Sequence, residues 1–184
     1  NAVDEVGGLV GDNKGTVFNC YATGNVNASE EEVGGLIGIN YGSVLECYAT
    51  GNVESDSYQV GGLIGDQSEG TVEKCYVIGG VTGDDQVGGL IGQNVGMVNN
   101  SYARGSVHAT SKRGGGLVGR NVDTVNKCYS NGSVTGGSQL GGLVGEVDTG
   151  STFDSFWDTV TSGQSSSFGG TGKNTSQMQN QSTF

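Results

Sequence analysis

The triplet Gly-Gly-Leu recurs along this chain at an almost constant interval. Its leucines are Leu9, Leu36, Leu63, Leu90, Leu117 and Leu143, and the intervals between them are 27, 27, 27, 27 and 26 residues. Periods of roughly 20–50 residues are typical of repeat architectures, in which each copy buries its apolar side chains against the neighbouring copies. The sequence therefore predicts a stack of six similar units instead of one irregular core.

Each copy reads approximately VGGLIGxNxGxVxxCYATGxV and is followed by a polar stretch of variable length. Three columns of β-branched residues follow from aligning the copies: Val10, Ile37, Ile64, Ile91, Val118 and Val144; Val17, Val44, Val72, Val98 and Val125; Val26, Val53, Val81, Val107 and Val134. β-branched residues at short intervals, separated by Gly, are typical of strands. We expect the Gly pairs to provide sharp corners or residues with positive φ.

These features predict an all-β fold, a β-solenoid in the form of a right-handed parallel β-helix. We expect about six 27-residue coils over residues 1–156, starting near residues 6, 33, 60, 87, 114 and 140, with the Leu, Val/Ile and Cys columns pointing inward. Residues 157–184 are expected to form a degenerate repeat or cap, because Phe168 to Asn174 resembles the start of a seventh copy. Residues 1–6 match the middle of a later copy, so we expect an excised or processed piece that opens inside a coil.

Two further columns are interpreted as structural. The first holds the amides Asn13, Asn40, Gln67, Asn94 and Asn121, and it predicts hydrogen bonds between successive coils at a turn. The second holds Cys20, Cys47, Cys75 and Cys128, with Ser101 and Ser155 in two other coils. We expect small buried side chains there, and neither a zinc site nor a disulfide framework.

An aromatic column follows directly after the cysteines and consists of Tyr21, Tyr48, Tyr76, Tyr102, Tyr129 and Phe156. Alternation along a strand places these rings outward if the cysteines point inward. Two interpretations stay open: a half-buried ladder that shields the backbone, and a platform for carbohydrate or for a partner protein.

The net charge of −11 disfavours nucleic-acid binding, because the phosphate backbone would repel the chain. No apolar run is long enough for membrane insertion. The charge is also uneven: residues 1–86 carry 14 acids and 2 bases, residues 87–139 carry 1 acid and 5 bases, and residues 140–184 carry 4 acids and 1 base. This asymmetry, with unpaired strands at an exposed end coil, makes head-to-tail self-association a candidate property.

The VGGLIG and CYATGNV blocks resemble the GLUG-repeat family of bacterial and archaeal surface proteins, whose core is Gly-Leu-any-Gly, here Gly8 to Gly11 and its five successors. Residues Ser155 to Lys173 also resemble the segment that commonly closes such arrays. The resemblance implies an extracellular or cell-surface location and an adhesin-like or stalk-like role. It implies no catalytic residues.

The sequence predicts a protein that is not an enzyme and needs no cofactor or metal. The acids that could form a polysaccharide-cleaving pair are scattered, and the single histidine, His108, is expected at an exposed turn. A calcium-binding column is disfavoured by Ile39 and Arg120 among its members. Acids could gather at one variable corner, which we interpret as a solvated face: Glu30, Glu31, Glu32, Glu54, Asp56, Asp84 and Asp85.

Three functions remain as candidates. The first is a non-enzymatic surface or adhesion module that serves as a rigid spacer and binding surface, with carbohydrate or a surface protein as partner. The others are a self-assembling filament subunit and a polysaccharide-active enzyme on the same scaffold. Five N-glycosylation sequons are expected at loops: Asn27, Asn99, Asn131, Asn174 and Asn180.

Overall fold

The computed structural model describes residues 5–180 and contains, in that range, thirty short strands and one four-residue helix. Residues 1–4 of the first predicted coil and residues 181–184 of the predicted cap lie outside the described residues. Each of the first five repeats contributes one strand to each of five parallel sheets, and the sixth contributes a strand to four of them, so the chain winds through the sheets once per repeat.

The first two sheets contain the residues on either side of the Gly-Gly-Leu triplet. Sheet 1 consists of Val6–Gly7, Val33–Gly34, Tyr58–Gly61, Asp85–Gly88, Gly114–Gly115 and Leu140–Gly141. Sheet 2 consists of Val10–Asn13, Ile37–Asn40, Ile64–Gln67, Ile91–Asn94, Val118–Asn121 and Val144–Val147.

The other three sheets complete each turn. Sheet 3 consists of Thr16–Phe18, Ser43–Leu45, Thr71–Glu73, Met97–Asn99, Thr124–Asn126 and Ser151–Phe153. Sheet 4 consists of Tyr21–Ala22, Tyr48–Ala49, Tyr76–Val77, Tyr102–Ala103, Tyr129–Ser130, Phe156–Asp158 and Thr171–Lys173. Sheet 5 consists of Val26–Ala28, Val53–Ser55, Val81–Gly83, Val107–Ala109 and Val134–Gly136.

Successive coils pair in the register that the repeat predicts. Val60 lies between Val33 and Val87 in sheet 1, and Ile64 lies between Ile37 and Ile91 in sheet 2. The predicted all-β solenoid of about six turns is therefore confirmed. Its right-handedness stays a prediction.

The interior is divided into two apolar cores. The larger core contains the buried Leu column, the first residues of the sheet 2 strands, the central valines of sheet 3 and the cysteines. The smaller core contains the valines of sheets 1 and 5, such as Val60 and Val81. The second Gly of each triplet lies between them, and a Cβ atom on Gly62 would lie 2.6 Å from Val77 Cγ1 across the coil. Glycine there lets sheet 4 approach the triplet closely.

The expectation that the Gly pairs adopt positive φ is wrong. Positive φ among the described glycines occurs at Gly70, Gly136, Gly163 and Gly170, none of which belongs to a triplet. Eleven other residues have φ between 42° and 57°, and they form two columns: Asn19, Glu46, Lys74, Asn100, Lys127 and Asp154; Glu32, Gln59, Gln86, Arg113 and Gln139. Each residue of the first column directly precedes the cysteine column, and each residue of the second lies two positions before a Gly-Gly-Leu triplet. These two left-handed positions recur in successive coils, and stacking holds side chains there that would rarely adopt this conformation alone.

Residues after Trp157 lie across the C-terminal end of the stack. The backbone N–H of Val134 donates to the Ser162 carbonyl at 3.0 Å, and the N–H of Phe168 donates to the Val144 carbonyl at 3.1 Å. Thr171–Lys173 then joins sheet 4, so this segment does not repeat the course of the earlier coils. The helix Thr175–Met178 follows and has a capping box built on Asn174. Within residues 5–180, no helix has the length and apolar character needed to cross a membrane.

Candidate functional site

The aromatic column forms a continuous stack on the outer surface of sheet 4. We call the rings of Tyr21, Tyr48, Tyr76, Tyr102 and Tyr129 the tyrosine ladder. Successive ring centroids are 5.1, 4.9, 5.2 and 4.8 Å apart, and the ring planes differ by 5–7°. Strand alternation explains the ladder, because the neighbouring Cys and Ala side chains point into the core. Phe156 continues the column in register with Tyr129, and Lys173 Nζ lies 5.6 Å from its ring centroid.

The stacking geometry decides which part of each ring a ligand can reach. The rings face one another along the stack, so their faces contact other rings and their edges and hydroxyl groups point outward. Tyr21 at the outer end is 60% exposed, whereas the other four tyrosines are half-buried. The ladder therefore presents a row of edges and phenol hydroxyls and no row of open ring faces.

Two columns of polar residues border the ladder. On one side lie the left-handed corner residues, of which Asn100, Lys127 and Asp154 are exposed. On the other side, Arg104 Nη2 donates a hydrogen bond to the Tyr129 hydroxyl at 3.2 Å, and its guanidinium lies 5.1 Å from the Tyr102 ring centroid. The hydrogen bond to Tyr129 raises the pKa of Arg104, and burial raises the pKa of Tyr102. Arg104 therefore remains charged beside the neutral phenol of Tyr102.

Two concave regions lie beside the last rungs of the ladder. The corner groove has a volume of about 470 Å³ and is lined by Asn100, Tyr102, Lys127, Tyr129, Asp154 and Phe156, together with the inward Ser101 and Cys128. The helix groove, on the other side of Tyr129, has a volume of about 370 Å³ and is lined by Arg104, Asn131, Asp158, Thr175, Met178 and Gln179. Sequence reasoning identified the aromatic column but missed both grooves. The sequence could have indicated the corner groove, because Lys127 and Asp154 stand at the same place in successive repeats.

The predicted amide ladder is present. Asn40 Nδ2 donates to Gln67 Oε1 at 2.8 Å, Asn94 Nδ2 donates to Asn121 Oδ1 at 2.7 Å, and Asn13 donates to Asn40. Gln67 donates to the Glu69 carbonyl two residues further on, as Asn40 does to the Gly42 carbonyl. All of these amides are buried, which fits a structural role.

The cysteine column points inward as predicted, and all four thiols are free. Cys47, Cys75 and Cys128 are buried, and Cys20 in the first coil is partly exposed. Burial raises the pKa of Cys128 to about 12. The hydrogen bond with Cys47, together with burial, raises the pKa of Cys75 above its ordinary range. Cys75 and Cys128 are therefore packing residues and weak nucleophiles.

A network of ion pairs links coils three to six and was missed in the sequence. Arg113 pairs with Asp85 and lies 3.2 Å from Glu146 Oε2, while Arg120 pairs with Asp148. Arg120 also donates to Gln93, whose amide lies 3.4 Å from Asp66 Oδ1. The column considered for calcium is therefore a ladder of complementary polar groups. The sequence could have indicated these contacts, because Asp66, Gln93, Arg120 and Glu146 follow one another in this column.

The other candidate residues are dispersed. Asp84 accepts a hydrogen bond from Thr110 and Asp85 binds Arg113, whereas Glu54 and Asp56 border a shallow depression. Residues 5–180 contain no cluster of three or more His, Cys, Asp or Glu side chains that could hold a metal ion. His108 lies in a sheet 5 strand, not in a turn, and its Nδ1 is 3.0 Å from Thr135 Oγ1.

The sequons do not all lie in loops. Asn27 and Asn99 are strand residues in sheets 5 and 3, and Asn131 directly follows a sheet 4 strand. Asn174 caps the helix, and Asn180 lies just beyond it. Asn27, Asn174 and Asn180 are exposed, whereas Asn99 and Asn131 are half-buried.

Comparison with known proteins agrees with the repeat found in the sequence and with the coils found in the structure. A family model described as the GLUG motif matches residues 5–27 and 29–54, which are the first two coils. Neither a curated protein nor a solved structure matches the chain. The same columns continue in register through the later coils. The family model therefore identifies the first two coils as GLUG motifs, and the later coils repeat the same columns in one parallel β-solenoid.

Proposed function

We propose that this chain is a non-enzymatic module of an extracellular or cell-surface protein, and that the face carrying the tyrosine ladder is its binding surface. The observation that carries the proposal is the regular presentation of this face, with five tyrosine rings at 4.8–5.2 Å intervals over five coils. The parallel pairing of every coil fixes these rings before a ligand arrives. Such preorganisation lowers the entropy cost of binding.

The dimensions of the stack favour a role as a binding surface over a role as a long spacer. Each coil uses about 27 residues to advance about 4.8 Å along the stack. An extended polyproline linker advances about 3.1 Å with a single residue. A spacer built from these coils is rigid, but it spans a short distance for its number of residues. The fold is therefore better suited to presenting a surface than to bridging a long distance.

The carboxylates that share an arginine network support a non-enzymatic role. Asp85 and Glu146 both contact Arg113, and Asp148 pairs with Arg120. Glycosidases need two carboxyl groups, roughly 5–10 Å apart, that are free to protonate and to attack or to activate water. Carboxylates engaged by arginine serve this chemistry poorly, because their oxygens are already occupied by charge-assisted contacts.

An array of glycans and surface proteins tests the proposal. We expect binding without turnover, and we expect Tyr76→Ala to weaken it because this ring contacts a neighbour on both sides. Tyr41→Ala is the matched control, since Tyr41 is an exposed tyrosine outside the ladder. Turnover of any glycan on the array, or binding that both variants weaken equally, would contradict the proposal.

Self-assembly into filaments stays a separate prediction. Electron microscopy of the purified chain across a salt series checks it. Filaments that shorten as salt rises would support association of oppositely charged segments. Single short particles under every condition would eliminate it.

A further inference from the structure

We propose that the corner groove binds an acidic saccharide, with a uronate residue as the recognised unit. This inference rests on the proposed function, because it assigns a ligand class to one end of the same binding face. The groove is the larger of the two concave regions beside the ladder, and it combines aromatic walls with an amide, an ammonium and a carboxylate group. Those groups complement the hydroxyls and the single carboxylate of a uronate.

The first argument is the orientation of the rings. Tyr102 and Tyr129 stack with centroids 4.8 Å apart and planes within 7°, so they turn their edges to the outside. The edge of an aromatic ring carries positive partial charge and its face carries negative partial charge. This surface therefore favours anionic and hydrogen-bonding groups over the apolar face of a neutral sugar.

The second argument is the state of the corner residues. Earlier in the same column, Glu46 and Lys74 form an ion pair of 3.4 Å. Lys127 and Asp154 occupy the equivalent places three coils further along and line the groove, yet no ion pair of Lys127 occurs within residues 5–180. Lys127 is thus available to a carboxylate, while Asp154 and Asn100 can accept hydrogen bonds from hydroxyl groups.

The third argument is the local charge. The net charge of the chain is −11, but residues 87–139 carry five bases and one acid, and only Arg113 and Arg120 among these bases form ion pairs within residues 5–180. Arg104 lies beside the same two rings, and Lys173 lies over the next one. This part of the ladder therefore attracts anions, whereas the earlier coils repel them.

A saccharide fits this site better than an acidic peptide. Peptides commonly gain affinity by adding a strand to a free sheet edge. The strands that carry Tyr102 and Tyr129 lie inside the seven-stranded sheet 4 and are paired on both sides. Recognition must therefore come from side chains, which suits a ligand with many hydroxyl groups.

The test is isothermal titration of the whole chain with an oligogalacturonate, a neutral cello-oligosaccharide and poly-glutamate. Lys127→Met is the test variant and Lys74→Met is the matched control, because both lysines are exposed corner residues with φ of 52° and 54°. We expect oligogalacturonate to bind, Lys127→Met to weaken it by about tenfold or more, and Lys74→Met to change it by less than about twofold. Added salt should also weaken the binding.

Other outcomes overturn this inference without ambiguity. Equal binding of the neutral oligosaccharide, or an equal loss with both lysine variants, refutes the charge-based assignment. Poly-glutamate binding with the same dependence on Lys127 identifies a peptide site instead. No oligogalacturonate binding, together with Tyr76-dependent binding of another ligand on the array, refutes the uronate site and leaves the proposed function standing. If no ligand binds in the titration or on the array, both the uronate site and the proposed function are contradicted.

Discussion

Coils one and three follow the same repeat pattern but have different surroundings. Leu9 in coil one is 51% exposed, whereas Leu63 at the same place in coil three is fully buried. A Cβ atom on Gly24 would meet no atom within 4 Å, but one on Gly79 would lie 1.9 Å from the Gly51 carbonyl oxygen. The comparison shows that the coil stacked on a residue, and not the residue itself, sets its energetic importance.

The polar and aromatic columns show the same contrast. Tyr21 is 60% exposed and stacks on Tyr48, whereas Tyr76 is half-buried between two rings. Asp12 is an exposed partner of Lys14, whereas Asp66 is only 6% exposed and lies beside Gln93. Matched substitutions in the two coils therefore separate the intrinsic effect of a residue from the effect of stacking.

The largest difference is expected for the leucine column. Leu63→Ala should lower the free energy of unfolding by about 2–5 kcal/mol, because it removes a buried side chain and leaves a cavity. Leu9→Ala should cost less than about 1 kcal/mol, since much of that side chain already contacts water. Urea denaturation of both variants measures the difference, and equal losses would refute the role of stacking.

The next difference is expected for the glycine column. Gly79→Ala should destabilise the protein by about 1–3 kcal/mol or more, because the added methyl group overlaps the backbone of the coil beneath. Gly24→Ala should be neutral or slightly stabilising, since it restricts the unfolded chain without a clash. Thermal unfolding followed by circular dichroism compares them. A tolerated Gly79→Ala would contradict the close approach of the coils.

A smaller difference is expected for the ladder. Tyr76→Leu should cost about 1 kcal/mol, because it keeps apolar area but removes two ring contacts. Tyr21→Leu removes one contact and should cost about half as much. Amide hydrogen exchange of the sheet 4 strands next to each site reports the change, and an equal effect at both sites would show that ring stacking adds nothing to packing.

The smallest effect on the free energy of unfolding is expected at Asp66, where the substitution should stabilise the protein instead of destabilising it. Burial raises the pKa of this carboxyl group, so at neutral pH the charged form costs stability. This cost is relieved as the pH falls through the raised pKa, because the folded state then takes up the proton before the unfolded state does. Asp66→Asn should therefore stabilise the protein at pH 7 by less than about 1 kcal/mol, and the gain should shrink in acid.

Asp12→Asn is the control for that measurement. It removes only an exposed ion pair with Lys14, so it should be neutral or slightly destabilising. Unfolding midpoints of both variants between pH 3 and about 8 provide the comparison. A destabilised Asp66→Asn variant at pH 7 would mean that the hydrogen bonds from Ser68 and Gln93 outweigh the burial of charge.

Much of the candidate site could be predicted because it consists of columns. The 27-residue period identifies which tyrosines stack, and strand alternation places them outside. The grooves could not be predicted, because the corner groove combines the corner residues with the aromatic column across several coils, and the helix groove combines coil residues with the C-terminal helix. The Arg113 pairs with Asp85 and Glu146 were equally hidden, since they join residues 28 and 33 positions apart.

The sequence by itself determined the fold class, the number of coils, their register and the inward columns. A strict period allows only like residues to meet, so these features need no knowledge of the cross-section. The tertiary structure alone decided the shape of that cross-section. The left-handed corners at residues such as Lys127, the close approach at Gly62 and the edge-outward rings depend on how five short strands close into one turn. That closure is set by backbone torsions and contacts across the coil, which no single column of residues specifies.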